Sequence, residues 1–121
     1  MRIQNLLFIF ILMLAANSQV HAHAFLDHAD PKVGGTVTGP PSQVKIWFTE
    51  ELESAFSKIQ VFDASGAQVD KKDSKVDATD KALMAVSLPP LAPGNYRVVW
   101  NAVAVDTHHT SGSFRFTVKG A

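Results

Sequence analysis

Of five histidines, the four beyond Ala22 fall into two groups: His23 and His28 near the start, and His108 and His109 near the end beside Asp106. In extended backbone, residues two apart face the same side, so Asp106 and His108 would present a carboxylate and an imidazole together while Thr107 and His109 point away. A histidine at the N-terminus of a processed chain adds what an internal one lacks, because its α-amine and imidazole close a chelate ring on one ion. Cleavage after Ala22 would give His23 that role. Three nitrogens and one oxygen in a tetragonal arrangement suit copper(II), which also stands at the top of the divalent affinity order. Zinc competes for histidine and carboxylate donors in a tetrahedral site. Copper(I) would want sulfur, but cysteine is absent and the only methionine beyond residue 22 is Met84. Taken alone, Asp106-Thr107-His108 reads as a solvated turn whose aspartate accepts local backbone hydrogen bonds. His28 reads as a surface residue before Asp30-Pro31, His109 as exposed, Thr110 and Ser111 as plain turn residues, and Trp47 and Trp100 as packing residues.

The start of the chain looks like an export signal. Arg2 supplies a positive charge, Leu6 to Leu14 form an apolar run, and small residues follow from Ala15 to Ser18. That run is too short for the roughly 20 residues a spanning helix needs. Signal peptidases prefer small residues at the first and third positions before the cut. Val20-His21-Ala22 fits and frees His23, whereas Ala22-His23-Ala24 fits equally and frees Phe25. The division expected is a signal peptide over residues 1–22 and one domain over 23–121, with no membrane span in the mature chain. Eleven basic residues balance eleven acidic ones, and without a basic patch there is no case for nucleic acid.

The remainder must position these donors with strands, since no window repeats at helical period. Val44, Ile46 and Phe48 alternate with polar neighbours, as do Phe114, Phe116 and Val118, so each set marks a half-buried strand. Lys58 to Phe62 and Ala82 to Leu88 read as further strands ended by Gly and Pro punctuation. Asn95 to Val105 is apolar on both faces and predicts a central strand. Asp70 to Lys81 reads as a long charged surface connection holding at most a weak strand, and Glu50 to Ser57 as a turn of helix. Tyr96, just after Leu91-Ala92-Pro93-Gly94, stands where its hydroxyl could pin a sandwich corner or where it could be an ordinary core aromatic. The fold class expected is all-β, a Greek-key β-sandwich of about seven strands.

The pattern resembles the CopC-type periplasmic copper resistance proteins over nearly the whole mature chain. The stretches that carry the likeness are His23-Ala24-Phe25-Leu26, Lys45-Ile46-Trp47-Phe48-Thr49-Glu50, Leu91 to Trp100, Asp106-Thr107-His108 and Gly112 to Val118. The resemblance implies a cupredoxin-like sandwich or barrel with immunoglobulin-like topology, binding Cu(2+) through His23, Asp106 and His108. It also implies an acidic residue near the site at Glu50, a periplasmic location, a monomer, and an inner-membrane copper transporter of the CopD type as partner. The methionine-rich copper(I) loop of some members has no counterpart between Asp63 and Lys81, where methionine and histidine are both missing. Two readings compete with a copper binder that performs no turnover: a copper-dependent polysaccharide monooxygenase built on the same histidine chelate, and a metal-free immunoglobulin-like module.

Overall fold

Alternation of apolar and polar residues turns directly into two facing sheets. In β3 (Gln43–Phe48), Val44, Ile46 and Phe48 are buried while Gln43, Lys45 and Trp47 lie on the other face. The same period-2 burial runs through β4 (Lys58–Phe62), β6 (Leu83–Ser87), β7 (Gly94–Val103) and the inner half of β8 (His109–Lys119). The computed structural model describes residues 24–121; the expected export segment, its cleavage point and His23 lie outside the described residues.

Three short strands complete the set: β1 (Leu26–Asp30), β2 (Thr36–Thr38) and β5 (Lys75–Val76). One sheet has the order β1-β3-β6-β5 and the other β2-β8-β7-β4. All pairings are antiparallel except β2 with β8. The chain crosses between sheets at each of its first connections, as a Greek-key sandwich requires. The all-β sandwich expected from the sequence is therefore present, with eight strands in place of about seven. The helical reading of Glu50 to Ser57 shrinks to a single 3-10 turn over Ser54–Phe56, and the weak strand allowed between Asp70 and Lys81 is β5.

The core between the sheets is built from Val44, Ile46, Ile59, Val61, Met84, Val86, Val98, Phe114 and Phe116, with Trp100 meeting Phe48 edge-on at 5.2 Å. Tyr96 is both core and pin: its ring stacks on Phe116 and its hydroxyl donates to the Ala92 carbonyl at 2.5 Å. β7 lies between β8 and β4, the central place expected of it, although only one of its faces is buried: Tyr96, Val98 and Trp100 point into the core while Asn95 and Arg97 are exposed. It delivers the chain at Val103 to the segment that carries Asp106 and His108.

Candidate metal centre

Beyond β7 the backbone does not stay extended. Ala104 forms a bridge with Leu52, and Glu53 N–H donates to Val103 O while Val105 N–H donates to Glu51 O. The chain then reverses: Thr107 N–H donates to Ala104 O at 2.8 Å, and Ala104 N–H donates to His108 O at 3.0 Å. Thr107 takes φ 74, in the left-handed region. The Asp106 carboxylate braces the turn by accepting the His108 N–H at Oδ1, 3.2 Å away.

This turn brings together the two donors that the sequence singled out. His108 Nδ1 lies 3.1 Å from Asp106 Oδ2, and both side chains are partly open to solvent, at 46% and 36% exposure. Strand alternation predicts these two side chains on one side; the structure brings them together through a tight turn instead. The contact sets the Asp106 carboxylate against the Nδ1 edge of the ring and restricts the ring's orientation. His109 is exposed and begins β8, opposite Val103.

The start of the described chain is tied to the same end of the sandwich. Ala24 is completely buried, and its carbonyl accepts a hydrogen bond from the hydroxyl of Thr110, two residues beyond His108. Phe25 N–H donates to Thr49 Oγ1 at 3.0 Å, and Thr49 N–H donates to Phe25 O at 2.9 Å. Thr110 was read as a plain turn residue; it is a strand residue whose hydroxyl anchors the first described residue. No local sequence signal marks such a role, because its partner is 86 positions away.

The other candidates stand apart from the pair. A bulge at Asp27 sets His28 opposite Trp47 in the β1–β3 ladder. There His28 stacks on the indole at 4.4 Å between ring centroids, and its Nδ1 meets Asp27 Oδ2 at 2.7 Å. Trp47 is thus an outer-face packing partner, and Trp100 a core residue. Glu50 is exposed, and among the described residues no three His, Cys, Asp or Glu side chains converge as a metal cluster. Glu51, Glu53 and Asp77, with Lys81, line a cleft of about 250 Å³ that reaches Val105, next to Asp106. Carboxylates placed there favour the approach of a cation.

Comparison with known proteins follows the same outline. Residues 26–119 match the family model described as the CopC domain. The copper transport protein CutJ of Bacillus subtilis is 32% identical over 114 residues, covering 93% of this chain; the chain spans only 21% of that protein's length. Among solved structures, CopC from Methylosinus trichosporium superposes with a TM-score of 0.77 at 32% identity, covering 81% of this chain and 95% of that one. PcoC, described as a methionine-rich copper resistance protein from Escherichia coli, gives a TM-score of 0.70 at 31% identity, covering 81% of this chain and all of that one.

Proposed function

The chain belongs to the CopC domain family, and from that premise we propose that it is a periplasmic copper(II) carrier. In this reading the ion is held by the α-amine and imidazole of His23, by the His108 imidazole and by the Asp106 carboxylate, and is passed on to a membrane transporter of the CopD type. Copper is cargo, and no turnover is assigned; the relatives carry the names of resistance and transport proteins.

The observation that carries the reading is the Asp106–His108 pair, exposed in its turn and two residues from the hydroxyl that anchors Ala24. Two donors hold an ion weakly, and an amine–imidazole chelate entering one peptide unit from that anchor would supply what is missing. The burial of Ala24 also bears on the cleavage point. A chain beginning at Phe25 would lose the core methyl and leave the Thr110 hydroxyl without its acceptor, whereas cleavage after Ala22 keeps both and exposes His23. Copper(II) rather than copper(I) follows from the donors: Met84 is fully buried in β6, so the described residues offer no exposed thioether. A site organised before the ion arrives lowers the ordering cost of binding.

The test is a copper(II) titration of the mature protein, followed by electron paramagnetic resonance, against a form carrying one extra residue in front of His23. The mature form should show nitrogen hyperfine coupling and a d–d band, with weaker binding in the extended form. His108→Ala and Asp106→Ala should each weaken binding on the order of 10- to 100-fold, and His109→Ala should leave it unchanged. Equal affinity in the extended form would remove the amine from the ligand set; absence of nitrogen coupling would remove the site.

A further inference from the structure

The chain as a whole balances its charges, but the β2-β8-β7-β4 sheet does not. Its four strands contain Lys58, Arg97, His109, Arg115 and Lys119 and no aspartate or glutamate. At the centre of its outer face Arg97 stands directly opposite Arg115 in the antiparallel ladder. Both are exposed, since the residues that flank them, Tyr96 and Val98 on β7 and Phe114 and Phe116 on β8, point into the core. Like charges placed directly opposite one another destabilise a sheet. Among the described residues neither guanidinium has an ion-pair or hydrogen-bond partner to offset this, because the ion pairs join only histidines to aspartates. Arg97 instead rests over the Phe62 ring at 5.2 Å, a contact that holds the guanidinium in place.

Beside this pair the turn Asp63–Gly66 closes a cleft of about 370 Å³, lined also by Asn95 and Ser65. Asp63 is the one carboxylate in the lining; one of its oxygens is engaged by its own turn, and its single negative charge stands against two arginines. Its Oδ1 accepts from the Ser65 N–H at 2.9 Å, the Ser65 hydroxyl at 2.6 Å and the Ala67 N–H at 3.0 Å. Asn95 Oδ1 accepts the Thr117 hydroxyl at 2.8 Å, which leaves the amide nitrogen as a further donor. The cleft therefore offers two cationic forks, one of them held over Phe62, and an amide donor, the set that recognises a tetrahedral oxyanion in bidentate fashion.

We propose that this cleft is a phosphoryl-binding site in which Arg97 and Arg115 together hold one phosphate group, either as a free ion or on a phospholipid headgroup. Arg97 precedes the end of β7 by six residues, roughly 20 Å of strand. The site lies away from Asp106 and His108 and does not depend on the copper reading.

The experiment titrates the mature protein with inorganic phosphate at low ionic strength, reading the arginine Nε–Hε and the Ser65 and Gly66 amide signals by nuclear magnetic resonance. Flotation with phosphatidylglycerol or phosphatidylcholine vesicles runs beside it, for wild type, Arg97→Gln and Arg115→Gln. Saturable shifts confined to the cleft are expected, weakened about tenfold or more in either variant, with the copper titration unchanged. Flotation on phosphatidylglycerol alone, without a response to free phosphate, assigns the site to a headgroup; a response to free phosphate without flotation assigns it to the solute. In phosphate-free buffer Arg115→Gln, which removes the repulsion and leaves Arg97 on Phe62, should melt above wild type, and saturating ligand should close or reverse that order. A wild type that answers neither probe, or variants that bind as wild type does, overturns the proposal.

Discussion

Thr107 occupies backbone that a β-branched residue rarely enters, at φ 74. It is held there from both sides, by its own N–H on Ala104 O and by the Ala104 N–H on His108 O. The reversal is what sets Asp106 beside His108, so the strain and the candidate site share one residue. Thr107→Gly removes the steric cost, roughly 1–2 kcal/mol for a left-handed L-residue, but adds unfolded-state entropy that takes back about 0.5–1 kcal/mol. Urea unfolding of the metal-free variant should therefore show stability equal to wild type or up to about 1.5 kcal/mol higher. A loss of that size would show that the threonine side chain supports the turn by contacts of its own. Gly112 is constrained differently. It faces Trp100 across the β7–β8 ladder, and a Cβ there would stand 2.5 Å from indole Cζ2. Phe48 meets the same indole edge-on, so the ring has little freedom to yield. Gly112→Ala should cost about 1–3 kcal/mol, in the range of overpacked cores, with a changed tryptophan emission; unaltered stability would mean that the ring moves more freely than this packing allows.

At the scale of elements, the exposed edge of β4 is covered by a segment that does not look structural in the sequence. Val69 N–H donates to Val61 O at 2.8 Å, and the Val61 N–H is taken by Asp70 Oδ1 at 2.8 Å. The other oxygen of Asp70 accepts the Lys72 N–H, and the Gln68 amide donates to both. Asp70 is only 7% exposed and does the work of a missing strand, giving the edge its hydrogen bonds without offering a template for another chain. Asp70→Ala would orphan the Val61 N–H in a buried place, at about 1–3 kcal/mol; Asp70→Asn keeps an acceptor and should lose clearly less by thermal or denaturant unfolding. Similar losses in both would mean that the charge matters more than the hydrogen bond. Asp70 was read as part of a charged surface connection because composition cannot show a partner nine residues back on another strand. The strands that were legible, β3, β4, β6, β7 and β8, bury alternate residues in runs of five or more. β1 carries Asp27, His28 and Asp30 around a bulge, and β2 and β5 have three and two residues, so neither length nor alternation announces them. The same limit applies to the candidate pair. Residue type and spacing identified Asp106 and His108, but the turn between them is fixed by Ala104, Leu52 and Glu53, which no local pattern connects.

For the molecule as a whole, the loops that close the sandwich carry aspartates whose titration contributes to the acid limit of the fold. Hydrogen bonds from Ser65 and Ala67 hold Asp63 below the usual carboxylate range, those from Ser87 do so for Asp73, and those from Thr79 and Asp80 for Asp77. A carboxyl whose folded pKa lies below its unfolded value of about 3.9 contributes stability that is present above that value and is lost as pH falls through the folded pKa. The metal-free fold should accordingly hold its melting temperature down to about pH 4 and decline below it. Copper binding as proposed has a different window, because the amine, with an ordinary pKa near about 7.7–8.0, must give up its proton to the ion. The two windows do not overlap, so mild acid should discharge the metal from an intact sandwich. Melting curves with and without excess copper(II) across this range are the measurement. The increment due to copper should shrink between about pH 8 and 6 while the metal-free midpoint stays level, and below about pH 4 the midpoint should fall less steeply in an Asp63→Asn/Asp77→Asn protein than in wild type. A metal-free midpoint that falls together with the copper increment near pH 6 would tie release to unfolding rather than to protonation of the ligands.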